Sequence, residues 1–218
     1  GQHFAFGYYS KPPLIGWLIG AITTLAGSDM PFWVRMPGAF LHGATALILG
    51  AWAARLYGPR AAILTTAAYA TAPFAALGSL LISTDTVMAP FFAAALLAHH
   101  HLTETRAAKY ALYAGAAIGA AFMAKYAAIY FLIGVALAAL RPEGRIGWRN
   151  AALMLLAFGM VISGNLIWNV AHQFTTLSHT VDNVGWVRQD NPLAALNFAS
   201  AAEFLASQFA VAGPVIFA

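Results

Sequence analysis

The chain has 218 residues, of which 61% are apolar and only 8% are charged, and its formal net charge is +4. Soluble domains carry about 25% charged residues, so a globular protein of this length could not solvate its surface with so few charges, and lipid is the expected solvent. The basic residues form no single face, so we expect no nucleic-acid partner, and the absence of cysteine excludes disulfides and thiolate metal sites.

The ends of the sequence predict a fragment of a longer membrane protein. The chain starts at Gly1 without a methionine and stops inside an apolar run at Ala218. We expect residues 1–218 to form a single all-α transmembrane domain that lacks an upstream helix, the first outer loop and further helices downstream. No soluble domain, linker or convincing internal repeat is visible.

The first predicted helix, Leu14–Ala26, is apolar but short for a membrane crossing. It follows Lys11-Pro12-Pro13, which forces an extended entry and then lets a helix begin with proline in its first turn. Trp17 suits the interface between lipid and water. We therefore predict a helix that lies on the membrane or is half inserted.

Longer apolar stretches follow along the chain. A spanning helix needs about 20 mostly apolar residues, because the hydrocarbon core is about 30 Å thick. The stretches that we predict to cross the membrane are Met36–Ala54, Ala61–Thr84, Thr86–His101, Ala151–Trp168 and the start of one more at Ala201–Ala218.

Tyr110–Leu140 is either one helix or two helices that meet at Lys125. One helix would be roughly 46 Å long, too long for a single crossing, and each half is a little short. Two crossings divide the loop charges seven to four, with Arg55, Arg60, Arg106, Lys109, Arg141, Arg145 and Arg149 against Lys11, Arg35, Lys125 and Arg188. One crossing divides them five to five. The positive-inside rule therefore favours two crossings, about seven membrane helices in all, and a polytopic bundle.

This topology places most of the unusual polar residues on the non-cytoplasmic side. The segments on that side are Gly1–Pro13, the Ser83–Thr86 turn, the turn at Lys125 and the long polar loop Asn169–Asn197. We interpret this side as the working face of the protein.

Three residues on that face are candidates for chemistry, and each has a structural alternative. Lys11 can bind a phosphate as a point charge, or it can anchor the chain at the interface. Asp85 can act in a reaction, or it can cap the helix that starts beside it. Lys125 can face a partner in a water-filled cleft, or its ammonium group can extend from a tight turn into water.

The remaining histidines do not predict a metal site. His172 and His179 lack the i, i+4 spacing of a helical metal pair, and the other polar residues of their loop, Asp182, Arg188 and Asp190, are expected to be solvated. Three consecutive histidines, His99-His100-His101, face different directions on a helix.

His42 and Asn165 are expected to form hydrogen bonds between helices. No metal ligand is assigned, although a divalent metal stays possible.

Nucleotide-binding loops are absent from the sequence, which contains neither G-x-x-x-x-G-K-[ST] nor G-x-G-x-x-G. A donor carried by a lipid therefore fits the membrane setting better than a nucleotide does.

An ordered series of short motifs resembles bacterial membrane glycosyltransferases related to dolichyl-phosphate-mannose protein mannosyltransferases, a group that includes aminoarabinose transferases acting on lipid A. The series covers most of the chain. It consists of residues 8–18 (YYSKPPLIGWL), 34–39 (VRMPGA), 53–58 (AARLYG), 83–86 (STDT), 123–126 (MAKY) and 166–172 (LIWNVAH).

The resemblance implies a GT-C fold, with an active site at the outer membrane face and a polyprenyl-phosphate sugar donor. It implies that Lys11 contacts the lipid-linked phosphate and that Asp85 is the acidic residue of a later helix lining the same cavity. Tyr9, Lys125, His172 and Arg188 are further substrate-binding candidates. The principal catalytic carboxylate of the family is expected upstream of Gly1. Ser10 stands where aminoarabinose transferases often have glutamate, so their metal site and lipid A specificity do not carry over directly.

The resulting hypothesis is an enzyme of the bacterial inner membrane that transfers a sugar from a polyprenyl-phosphate donor to a protein, lipid or glycan acceptor at the periplasmic face. A transporter or lipid flippase is the first alternative, but its polar residues should lie near the membrane midplane on broken helices. A scaffold that only binds partners is the second, and it gives no reason for Lys11, Asp85 and Lys125 to share one face.

Overall fold

The computed structural model describes residues 4–184 and 202–208, and every regular element in these ranges is a helix. The α-helices are α1 (Leu14–Ala26), α2 (Pro31–Arg35), α3 (Pro37–Tyr57), α4 (Pro59–Thr71), α5 (Pro73–Gly78), α6 (Thr84–Thr105), α7 (Ala108–Ala124), α8 (Tyr130–Ala138), α9 (Trp148–Ala171) and α10 (Thr175–Val184). Short 3₁₀ turns occupy Tyr126–Ile129 and Pro142–Gly144, and residues 202–208 are helical.

Prolines and glycines define several of the helix boundaries. Four helices begin with proline at their first position, where the missing N–H group has no partner to lose: α2, α3, α4 and α5. The predicted helix Leu14–Ala26 is confirmed, and it ends at Gly27, whose φ of 61° is left-handed and favours glycine.

Helices α3, α6, α7 and α9 pack side by side in that order and form the bundle. The start of α3 approaches the start of α6, since a Cβ on Gly38 would lie 2.5 Å from the Leu81 carbonyl oxygen. Their ends are joined by Arg55 and Glu104, 3.0 Å apart. Helix α7 runs back, and Asn150 at the start of α9 donates to the Arg106 carbonyl oxygen, so α9 runs parallel to α7. We call the two ends of the bundle the Arg55 end and the Lys125 end.

Small residues allow the central helices to approach closely. A Cβ on Gly115 of α7 would lie 2.1 Å from the Met154 carbonyl oxygen of α9, and one on Gly119 would lie 2.8 Å from Val161 Cβ. The core between α6, α7 and α9 is built from fully buried Ala111, Ile118 and similar side chains. Close backbone packing of this kind is typical of helices that associate in lipid.

The segment Tyr110–Leu140 is divided at Lys125, as the interpretation with two crossings requires. Lys125 is extended (φ −154°, ψ 128°) and ends α7. The chain then turns through Tyr126–Ile129 into α8, which returns along α6, where Phe131 packs edge-on against Phe92.

The predicted single helix Ala61–Thr84 is wrong. Helix α4 ends at Thr71, α5 covers only Pro73–Gly78, and residues 79–83 are not helical. Pro73 has no N–H group to donate, and the extended conformation of Ala72 (ψ 133°) is what proline imposes on the residue before it. Hydropathy alone does not detect this break.

In the described part of the chain, two helices are long and apolar enough to cross a membrane by length and composition. They are the continuous pair α2–α3 (Pro31–Tyr57) and α9. The expected loop Asn169–Asn197 instead starts with the end of α9 and contains α10. The predicted span Ala201–Ala218 lies outside the described residues except for its helical part, 202–208.

Candidate active site

An ion pair between Asp85 and Lys125 forms the centre of the Lys125 end. Ser83 caps α6, because its hydroxyl accepts a hydrogen bond from the Thr86 backbone N–H at 3.1 Å, and this cap places Asp85 in the first helical turn. The extended backbone at the end of α7 presents Lys125 to it. Lys125 Nζ donates to both carboxylate oxygens of Asp85, at 2.7 and 2.9 Å.

Stability is a weak explanation for this ion pair. The side chains of Lys125 and Asp85 are 40% and 62% exposed. Exposed pairs contribute about 0–1 kcal/mol, since water screens the attraction and both side chains lose conformational freedom. The ammonium of Lys125 can therefore exchange one anionic partner for another at small cost.

A pocket of about 300 Å³ brings Lys11 to the same place. Its lining residues come from the N-terminal segment, the start of α6, the turn after α7 and α10: Ser10, Lys11, Pro12, Thr84, Ala124, Lys125, Tyr126, Ala127 and Thr180. This volume is at the lower end of small-molecule sites. Two lysines from distant parts of the sequence, Lys11 and Lys125, thus line one pocket, and Asp85 is held beside it through its ion pair with Lys125.

Beside the pocket is a buried polar network, of which the sequence predicted one member. Tyr126 donates from its hydroxyl to Asn165 Oδ1 at 3.1 Å, and Asn169 Nδ2 donates to that hydroxyl at 3.2 Å. Asn165 and Asn169 are 1% and 4% exposed. The expected hydrogen bonds of Asn165 between helices are confirmed, whereas Tyr126 and Asn169 were missed although both lie in the motifs 123–126 and 166–172.

The other expected pairing between helices is also present. His42 Nδ1 of α3 lies 3.0 Å from the Tyr69 hydroxyl of α4, so His42 serves the α3–α4 contact and not the pocket.

The remaining candidates lie at the rim of the pocket or elsewhere. Tyr9 is 66% exposed and its ring lies 5.0 Å from that of His179, next to Thr180. His172 stacks on Trp168 at 4.0 Å and lies outside the pocket lining, with its Nδ1 2.8 Å from the Trp168 carbonyl oxygen. Arg188 lies outside the described residues.

Within residues 4–184 and 202–208, no three histidine or carboxylate side chains lie together as a metal-binding group. The histidines of α6 are at the opposite end of the bundle. His101 stacks on Tyr110 at 4.8 Å, and His100 lies 3.4 Å from Glu104. The side chains that line the pocket supply two ammonium groups and several hydroxyls, and the Asp85 carboxylate lies beside them on Lys125. This set can bind an anion and orient a hydroxyl group beside it.

Comparison with known proteins identifies relatives of the chain. The profile of the family described as dolichyl-phosphate-mannose-protein mannosyltransferase matches residues 10–168. The chain is also 41% identical over 217 residues to lipid A galacturonosyltransferase RgtD of Rhizobium johnstonii. The match covers 99% of the chain and 45% of that relative, so the chain spans about half the relative's length. No solved structure matches.

Proposed function

Because the chain belongs to the dolichyl-phosphate-mannose-protein mannosyltransferase family, we propose that it is part of a GT-C glycosyltransferase that uses a polyprenyl-phosphate sugar donor. The observation that carries this proposal is that Lys11 and Lys125 line one pocket while Lys125 is paired with Asp85. Two ammonium groups at the end of an apolar bundle suit a phosphate whose hydrocarbon tail stays in lipid.

The proposed reaction is attack by an acceptor hydroxyl or similar group on the anomeric carbon of the donor. As the bond to the lipid phosphate breaks, negative charge grows on the departing phosphate oxygens. Lys11 and Lys125 stabilise this charge, and Asp85, released from Lys125, orients the acceptor or the sugar. The resemblance to the family implies that the general base is a carboxylate upstream of the Lys-Pro-Pro segment of the whole protein.

Support for an acceptor class comes from the Rhizobium relative, whose name specifies a galacturonosyltransferase that acts on lipid A. We propose a lipid A-type acceptor and a galacturonosyl donor for the whole protein to which this chain belongs. Both are amphiphiles, and a pocket at the end of a helical bundle is accessible from the membrane surface.

The proposed location is the bacterial inner membrane, with the Lys125 end in the periplasm. The basic residues predicted to face the cytoplasm lie in three turns, 55–60, 106–109 and 141–149. By the helix bounds, all three turns are at the Arg55 end. The positive-inside rule assigns such an end to the cytoplasm.

The test is transfer by the purified full-length protein in lipid, with polyprenyl-phosphate galacturonic acid and lipid A, followed by mass spectrometry of the product. Lys11→Ala is expected to lower kcat/KM about 10- to 100-fold, because a charged hydrogen bond contributes about 1.5–3 kcal/mol. Lys109→Ala at the Arg55 end makes the same change of charge and is expected to leave transfer unchanged. Translocation of the lipid without any product would instead identify a flippase.

A further inference from the structure

We infer that Tyr126, Asn165 and Asn169 are positioning residues that fix Lys11 opposite Lys125 by holding the N-terminal segment on α9. This inference rests on the proposed function, since it concerns the geometry of the same pocket. We call residues 4–13 the strap.

The strap carries Lys11 but has no regular helix of its own before Pro13. Its position therefore depends on contacts with neighbouring helices. Trp17 Nε1 of α1 donates to the Ala5 carbonyl oxygen at 2.7 Å, and the Thr176 hydroxyl of α10 donates to the Tyr8 carbonyl oxygen. Between these two contacts, Asn165 Nδ2 of α9 donates to the Phe6 carbonyl oxygen at 2.7 Å.

Two glycines allow the strap to lie directly on α9. A Cβ on Gly7 would be 2.2 Å from the Trp168 ring, and a Cβ on Gly164 would be 2.5 Å from the Phe6 ring. The strap is thus fitted to the surface of α9 and does not simply pass over it.

The Tyr126 hydroxyl connects this contact to the pocket. It donates to Asn165 Oδ1, which orients the amide so that its Nδ2 group points at the strap, and it accepts from Asn169 Nδ2. Tyr126 follows Lys125 directly in the chain. Lys125 presents its ammonium group to the pocket, and Tyr126 orients the Asn165 amide that binds the strap.

The composition of the network argues against simple packing. Buried amides in an apolar bundle lose their hydration, and this loss is compensated only when their hydrogen bonds are made in a defined geometry. Both ends of the Asn165 amide are paired in this way, with the Tyr126 hydroxyl and the Phe6 carbonyl oxygen, which fixes one arrangement of the strap and the turn after α7. Rate enhancement by two charges depends strongly on their spacing, and a displacement of about 1 Å can cost about 100-fold.

The experiment removes the hydroxyl and then restores the contact by another route. Tyr126→Phe is expected to lower kcat about 10- to 100-fold with a smaller change in the KM for the acceptor, whereas Tyr130→Phe at the start of α8 should transfer as wild type does. Phe6→Cys with Gly164→Cys places two thiols across the strap contact, and the chain has no other cysteine. Cysteines elsewhere in the full-length protein are replaced first.

In the Tyr126→Phe protein that carries both cysteines, oxidation to the disulfide is expected to restore transfer. The rate should come within about twofold of that of the double-cysteine protein that keeps Tyr126, and reduction of the disulfide should abolish the gain. A role of the hydroxyl in the reaction itself predicts no rescue, and a purely structural role predicts no change in kcat. Either of these results, with the disulfide verified by mass spectrometry, overturns the inference.

The rate of disulfide formation gives a readout that does not require transfer. We expect the pair to oxidise at least severalfold more slowly in Tyr126→Phe than with Tyr126, because the strap leaves α9 more often. Equal rates overturn the inference even if the enzyme transfers sugar. If the pair oxidises more slowly in Tyr126→Phe but the protein with Tyr126 transfers no sugar, the role of the network in positioning the strap is supported. Only the proposed function is then refuted.

Discussion

At the level of single residues, the Asp85–Lys125 pair has two separable properties, mutual attraction and the position of each charge. The short double contact of 2.7 and 2.9 Å satisfies both groups without a ligand. Its half-exposed setting makes it a weak contributor to stability. Substitutions that keep the attraction but exchange the positions therefore distinguish a structural pair from a catalytic one.

We predict that Asp85→Lys combined with Lys125→Asp keeps the fold but not the activity. The melting temperature should change little, because the pair is re-formed with its charges reversed. Transfer should fall at least 100-fold, since the carboxylate now occupies the phosphate side of the pocket. Thermal unfolding in detergent and the transfer assay measure the two effects. Recovery of wild-type transfer by the exchange would show that only the ion pair matters.

A second prediction concerns the single changes at this pair. Asp85→Asn and Lys125→Met should each lower kcat/KM, and the double change should cost less than the sum of the two free energies, because the residues contact each other. A double-mutant cycle on kcat/KM measures the coupling. Strict additivity would mean that Asp85 and Lys125 act in separate steps.

At the level of the helices, the sequence predicted some boundaries well. Lys11-Pro12-Pro13 indicated the start of α1, and the charge count across loops indicated the break at Lys125. The same reasoning failed at Ala61–Thr84, because hydropathy counted the apolar residues and overlooked Pro73. Helix α10 was missed because its sequence, TTLSHTVDNV, is polar and weak in helix-forming residues.

The close contact of α7 with α9 yields a third prediction. Gly115→Ala should destabilise the protein by about 1–3 kcal/mol, because its new methyl group would overlap the Met154 carbonyl and push α9 away. A Cβ on Gly159 of α9 would have no neighbouring atom within 4 Å, so Gly159→Ala should leave stability unchanged or raise it. Thermal unfolding of the two variants gives the comparison. Equal stability of both would refute the proposed close approach of these helices.

At the level of the whole molecule, the charge pattern predicted which residues share an end of the bundle, but not how they contact one another. Lys11 and Lys125 are separated by more than 110 positions, and both line one pocket because the strap lies on α9. That contact uses a backbone carbonyl and two glycines, none of which produces a pattern in one sequence. For the network around Tyr126, the sequence showed only that Tyr126 and Asn169 lie in two of the recognised motifs, not that they form hydrogen bonds.

The last prediction concerns the orientation of the bundle, which decides whether the pocket faces the periplasm. Ser28, between α1 and α2, lies at the Lys125 end, and Glu143, between α8 and α9, lies at the Arg55 end. In full-length protein with other cysteines replaced, a membrane-impermeant maleimide added to spheroplasts should label Ser28→Cys rapidly. Glu143→Cys should react only after the membrane is opened, because the basic loops are retained in the cytoplasm. Labelling of Glu143→Cys but not of Ser28→Cys in intact spheroplasts would place the pocket in the cytoplasm, away from a lipid A-type acceptor in the periplasm.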